Sequence, residues 1–284
     1  MENKRLRIAY LLLIMLFQLV GCKKDLDFNG IFQSNTSANE RFTQSTQQGW
    51  QKFPTEITLD TNSYSVVFAA DCHVGSTNNL VKLLSQTKIP EISALFLAGD
   101  GTTGRTEDYT VLKEVLEKSD SVSYYLVVGN HDLFYDGWTT FFSYFGSSTY
   151  TISIKTPKGS DLYICLDTGG GTLGNLQLDW LKEILRNQRF LYRNCIVVTH
   201  NNFFRSHITD STNPLIEEIY VLLELFSDYQ VNLVVTGHDH IRKEDMFGAT
   251  TYITLDGFMD GLSNASYLKL RVTDGIIGYQ FLNP

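Results

Sequence analysis

Five short clusters of side chains able to bind metals or move protons punctuate this sequence: Asp71-Cys72-His73, Gly99-Asp100, Gly129-Asn130-His131-Asp132, Thr199-His200 and Gly237-His238-Asp239-His240. They hold five of the six histidines. Their donors are nitrogen and oxygen, without thiolate, and they outnumber the four that one tetrahedral ion takes. Two divalent ions are implied. Imidazole mixed with carboxylate suits manganese, iron or zinc and exceeds what calcium or magnesium uses. Asp71 and His73, like His238 and His240, stand two apart, so each pair projects from one side of an extended segment while Cys72 points the other way. A two-metal site, with ions ~3.5–4 Å apart, clamps the attacking and leaving oxygens of an in-line displacement at phosphorus.

Each cluster closes an apolar run: Val66-Val67-Phe68-Ala69-Ala70, Leu95-Phe96-Leu97-Ala98, Leu126-Val127-Val128, Ile196-Val197-Val198 and Leu233-Val234-Val235-Thr236. Such runs read as buried strands. The pattern predicts strands at 64–70, 94–98, 123–128, 149–154, 162–166, 195–199, 231–236, 249–255, 267–272 and 276–281. Helices are expected at 79–86, 107–117, 176–188 and 214–226, the last with Pro214 in its first turn and Asn213 as its cap. Strands that alternate with helices and then give way to hairpins point to an α/β domain whose sheets are mixed in direction. Ligands of such sheets bind beyond the carboxyl ends of the strands, so the five clusters would converge on one crevice.

The ordered set Asp-x-His, Gly-Asp, Gly-Asn-His-Asp, a lone His after a strand, and Gly-His-x-His resembles the calcineurin-like metallophosphoesterase superfamily. The likeness runs from Asp71 to His240, and Gln177-Leu178-Asp179-Trp180-Leu181 is similar to the helix start these enzymes place after a glycine-rich loop. The resemblance implies a four-layer αββα sandwich, two packed mixed sheets flanked by helices. It implies one metal held by Asp71, His73, Asp100 and His240, and a second held by Asp100, Asn130, His200 and His238. Asp100 would bridge the two, using both carboxylate oxygens. A metal-bridging hydroxide would then attack phosphorus, His131 would protonate the leaving oxygen without binding metal, and Asp132 would support the site from behind. In two places the chain departs from the pattern. Thr103 stands where many members carry an acidic residue or tyrosine, which argues against the purple acid phosphatase branch and leaves His131 without that acidic partner. Asn201-Asn202 follows His200 where relatives often have proline, which bears on the substrate-side loop.

Arg205, His207 and Asn201, in or near that loop, are candidate substrate contacts, Arg205 because a guanidinium can grip a phosphate oxygen. The aromatic run Phe134, Tyr135, Trp138, Phe141, Phe142, Tyr144 and Phe145 reads as a helix packing one face on a sheet in preference to a lid. Gly169-Gly170-Gly171 lacks the lysine and the strand-to-helix context of a phosphate cradle and reads as a flexible connection.

At 284 residues, 43% hydrophobic and 13% aromatic, the chain has ample material for a core. Its N-terminus reads as an address. Lys4, Arg5 and Arg7 precede a thirteen-residue apolar stretch from Ile8 to Val20, too short for the ~20 residues of a membrane-crossing helix. Leu19-Val20-Gly21-Cys22 resembles the lipobox of bacterial lipoproteins, which implies removal of residues 1–21 and acylation of Cys22. Residues 22–60 are expected to form a polar tether whose later aromatics dock, and 61–284 the phosphoesterase domain. Loss of Lys4, Arg5, Arg7 and Glu2 takes the net charge from −8 to −10. No lysine or arginine stripe offsets that charge, so nucleic acid is not an expected partner.

The expectation is thus an exported lipoprotein, periplasmic or at the outer membrane or cell surface, hydrolysing small phosphate mono- or diesters. The alternatives are a surface lipoprotein that keeps the metal fold to bind a ligand without turnover, and a nuclease of the same superfamily. Cys165 and Cys195 lie in apolar runs and read as small buried hydrophobes.

Overall fold

A computed structural model describes residues 34–119, 122–205 and 212–284. The expected signal peptide and Cys22 lie outside them.

Two sheets face each other. One has five strands in the order β12-β11-β2-β3-β4, built from β2 (Ser63–Ala69), β3 (Ile92–Ala98), β4 (Tyr124–Val127), β11 (Tyr267–Thr273) and β12 (Ile276–Leu282). The other has seven in the order β1-β5-β6-β7-β8-β10-β9: β1 (Glu56–Thr58), β5 (Tyr150–Thr156), β6 (Gly159–Cys165), β7 (Asn194–Val198), β8 (Leu233–Thr236), β9 (Lys243–Phe247) and β10 (Thr250–Thr254). Parallel and antiparallel pairs occur in both.

The central strands β3, β4, β7 and β8 read as apolar runs because both of their faces are covered. Tyr64, Val66 and Phe68 of β2 turn toward the seven-stranded sheet, and Phe96 stacks on Tyr163 across the interface at 5.2 Å. Val67 and Ala69 turn outward, beneath helices α2 (Asn78–Gln86), α3 (Thr106–Lys118) and α4 (Trp138–Phe145). Helices α5 (Gly174–Gln188) and α6 (Ile216–Asp228) cover the far face of the seven-stranded sheet. The result is the helix–sheet–sheet–helix sandwich. Burial pushes the thiols of Cys72 and Cys165 far up and that of Cys195 up to about 12, so all three are inert packing groups. Among the described residues no helix is long and apolar enough to cross a membrane.

Some elements depart from expectation. Helix α6 starts at Ile216, not Pro214, because the Leu215 amide is drawn aside to the Gly171 carbonyl at 3.1 Å and Leu215 is extended. The short strand β1 and the charged edge strand β9 carry too little apolar signal to register in sequence. Polar helix α1 (Ala38–Gln47) was likewise unexpected, although Ser37 and Glu40 form a capping box at its start. It docks on α5 through Phe42 and Trp180, ring centres 6.1 Å apart. Arg41 also reaches into the protein, its Nε and Nη2 2.7 and 3.1 Å from the two carboxylate oxygens of Asp167, with both side chains under 4% exposed. Removing one partner strands a buried charge. Arg41→Ala should therefore lower unfolding free energy by about 3–5 kcal/mol in urea titrations, whereas Arg41→Met paired with Asp167→Leu should cost less. Equal losses from both would contradict the assignment.

Candidate metal centre

The clusters meet where the sheets' strands end. Asp71 and His73 follow β2, Asp100 follows β3, Asn130 and His131 follow β4, His200 follows β7, and His238 and His240 follow β8. Bringing five loops together needs close backbone approach. Gly99 adopts φ +87°, and a Cβ there would lie 2.5 Å from His200 Nδ1; one on Gly129 would lie 2.1 Å from Asp100 Oδ1. The donors themselves are bent into place. Among the described residues nine non-glycines have positive φ, and five are Asp71, His73, Asp100, His238 and His240. That concentration marks strain held for a purpose and not scattered irregularity.

Three groups of donors each lie within 4.8 Å of one another: Asp71, His73 and His240; His73, Asp100 and His131; and Asp100, His200 and His238. His73 Nε2 is 3.3 Å from His240 Nε2, and His240 Nε2 is 3.2 Å from Asp71 Oδ1. On the other side His200 Nε2 is 3.2 Å from Asp100 Oδ2, 3.1 Å from Asn130 Oδ1 and 3.3 Å from His238 Nδ1. Bonds of 2.0–2.2 Å to one ion set neighbouring donors about 3.0–3.5 Å apart, so these separations fit ligands around an ion. The tautomer of His200 agrees. Its Nδ1 faces the Ala98 carbonyl at 2.9 Å and so carries the proton, leaving the Nε2 lone pair toward the cluster. The donor set therefore fits divalent metal.

Burial disfavours charge on Asp100, but His200 and His73 outweigh it and hold the carboxyl well below its usual range. Burial likewise disfavours protonated His200, yet Asp100 and Asp71 push it up to about 9. Burial, then His200 and Arg205, drives His238 down to about 3, the neutral form a ligand needs. In metal-free protein the folded state thus holds the His200 proton more tightly than the unfolded chain does. That stabilisation is complete below pH 6.5 and is lost as pH rises through about 9. NMR of chelator-treated protein should show the His200 titration near 9, and zinc should abolish it. A titration near 6.5 unaffected by zinc would remove His200 from the centre.

The main chain of His131 is fixed by its amide, which donates to Asp100 Oδ1 at 2.8 Å. Its ring lies 4.6 Å from that of His73 and 4.4 Å from that of Phe134, and burial lowers its pKa. Thr103 turns away, its hydroxyl donating to Asp108. The carboxylates that raise the His131 pKa are Asp100 and Asp71, both within the cluster. Asp132 lies behind the donors: its carboxylate accepts from the amides of Gly129 and Thr102 at 2.9 and 2.8 Å and from the Thr102 hydroxyl at 2.8 Å. Burial, with the charge of Asp100, pushes it up to about 7.

Asn201 is buried, its backbone N–H donating to Thr168 Oγ1 at 2.9 Å. The Arg205 guanidinium is held by Asp239, with Nε 3.2 Å from Oδ1, and by the Thr212 carbonyl. His207 lies outside the described residues. Sequence reasoning missed Asp239, which also accepts from Asn202 Nδ2 at 2.7 Å. Its place between His238 and His240 was the available signal. The aromatic run after His131 forms helix α4 from Trp138 onward, with Trp138, Phe141 and Phe145 buried against the five-stranded sheet, whereas Phe134 and Tyr135 precede it with non-helical backbone.

A sandwich of this kind with nitrogen and oxygen donors at its strand ends defines a metal-dependent phosphoesterase class. The model of the calcineurin-like phosphoesterase family matches residues 64–242, which include all five clusters, and the chain belongs to that family. Solved structures share the fold. GAP50, the anchor in the inner membrane complex of Plasmodium, superposes with a TM-score of 0.61 at 14% identity, over 78% of this chain and 85% of its own. A dimetal phosphatase from Danio rerio gives 0.58 at 14% identity, over 78% of this chain and 98% of its own. The purple acid phosphatase PPD1 from yellow lupin (Lupinus luteus) seeds gives 0.59 at 13% identity, over 82% and 53%. A search of curated proteins gave no match.

Proposed function

We propose that the chain is a dinuclear phosphohydrolase acting on small phosphate mono- or diesters. The observation that carries this reading is that two of the donor groups, Asp71-His73-His240 and Asp100-His200-His238, share no residue. Asp100 lies between them, with Oδ2 3.2 Å from His200 Nε2 and 3.7 Å from His73 Nε2. Asn130 adds an amide oxygen on the His200 side. When bound, two divalent ions of the manganese, iron or zinc type supply Lewis-acid polarisation of the phosphoryl group and a nucleophile at neutral pH. The chain's own part is to fix the donors in strained backbone, to exclude water around Asp71 and Asp100, and to place the His131 imidazole where it can give a proton to the leaving oxygen.

Elemental analysis of the purified domain should find two ions per chain, and p-nitrophenyl phosphate or bis-p-nitrophenyl phosphate should turn over with manganese. Two ions without turnover across a phosphoester panel would favour the ligand-binding lipoprotein. The basic, apolar leader and Leu19-Val20-Gly21-Cys22 support export and a lipid anchor at Cys22. Cys22→Ala should then lose radiolabelled fatty acid, and unchanged labelling would refute the anchor.

A further inference from the structure

Buried polar atoms are nearly always hydrogen-bonded, so a local excess of unpartnered ones asks for an explanation. Nine buried side-chain nitrogen or oxygen atoms among the described residues have no partner, and five belong to one corner of the centre: Asn201 Oδ1 and Nδ2, Asn202 Oδ1, Arg205 Nη2 and His238 Nε2. The side chains are firmly held. Asn201 and Asn202 are each 2% exposed and the Arg205 side chain 7%. Asp239 ties the corner together, accepting from Asn202 Nδ2 on one oxygen and from Arg205 Nε on the other, next in sequence to His238. Arg205 Nη1 is occupied by the Thr212 carbonyl and Asn213 Oδ1, which leaves Nη2 as the free arm of a fixed guanidinium.

His238 shows which way this corner faces. Its Nδ1 is the nitrogen in the cluster, 2.7 Å from Asn130 Oδ1, so with a metal on Nδ1 the proton sits on Nε2, on the opposite edge of the ring. Arg205 Nη2, His238 Nε2 and Asn201 Nδ2 are then all donors, and what they lack is an acceptor. A solvated surface arginine would be neither buried nor immobilised. From this we propose that Asn201, Arg205 and His238 form an oxyanion subsite beside the metal centre, which binds a second anionic group of the substrate, one removed from the phosphorus under attack, while Asn202, its Nδ2 taken by Asp239, only braces the corner. The substrate class is a phosphoester carrying a further phosphate or carboxylate. This rests on the phosphohydrolase reading, and Arg205 would act as a specificity-determining residue.

Binding separates this proposal from turnover. Dissociation constants of inorganic phosphate, methylenediphosphonate and phosphonoacetate would be measured by calorimetry on the manganese-loaded full chain. The two-anion probes should bind more tightly than phosphate, and the one that gains more tells phosphate from carboxylate. Arg205→Met should weaken the two-anion probes about 10- to 100-fold, and phosphate by a smaller factor. Asn201→Leu should act in the same direction, and Arg205→Lys should recover part of the loss. Manganese content of each variant reports an intact centre, and Asn201→Leu and Arg205→Lys carry the test if Arg205→Met does not fold. Equal factors for all three probes, or no change, would overturn the subsite. If no phosphoester turns over but the selective weakening appears, the hydrolase reading fails and the subsite stands.

Discussion

Replacing Asp100 with alanine is expected to empty the centre, taking metal content from two ions per chain to less than one and kcat/KM down by at least about 10³. Asp100 Oδ2 lies 3.2 Å from His200 Nε2 and 3.7 Å from His73 Nε2, so the residue contributes to both halves of the donor set. Its Oδ1 accepts the His131 amide at 2.8 Å, so the same side chain holds the proposed acid in place. Removing it also uncovers a buried His200 whose charge in the metal-free chain depends on that carboxylate. Asp100→Asn, which keeps the shape, should retain the fold by circular dichroism and still lose metal. A variant with two ions and ordinary turnover would end the bridging assignment.

The second large effect is expected at His131. His131→Gln should lower kcat by about 10²–10⁴ with both ions retained, because the loss of a positioned proton donor is felt in the transition state and not in metal binding. Alkyl phosphates should suffer more than p-nitrophenyl phosphate, whose leaving oxygen needs little protonation. The pH profile follows from the direction of the shift. A group acting as acid loses its effect as pH rises through its pKa, and burial sets that pKa below 6.5, so activity on alkyl esters should already be falling at neutral pH. The competing role is visible in the geometry, since His131 lies within 4.8 Å of donors on His73 and Asp100. Metal analysis decides: loss of one ion from His131→Gln would make it a ligand.

The donors were legible in sequence because each is a short polar cluster directly after an apolar run, and strand ends are where an α/β sheet presents its chemistry. The layers were legible for a related reason: β2, β3, β7 and β8 are buried on both faces and have no polar alternation to confuse with loop. Helix α1 was not, because its stability comes from Arg41 reaching Asp167 across 126 residues of sequence, a contact that no local pattern encodes. The same holds for the Asp239 hub, which in sequence looks like an ordinary neighbour of two histidines, and for the partners of Asp132: its supporting place was expected from the resemblance, but its hold on Gly129 and Thr102 is set by tertiary structure.

The left-handed backbone at Asp71, His73, Asp100, His238 and His240 sets limits on how this protein can change. A non-glycine residue held there costs on the order of 1–3 kcal/mol. Glycine at position 73 or 240 would relieve that cost and delete a donor in the same step. The substitutions that most readily harden this fold against heat are therefore ones that silence it. Selection for thermal endurance alone would erode these five positions, and their persistence in a lineage would be a record of continued demand for the chemistry.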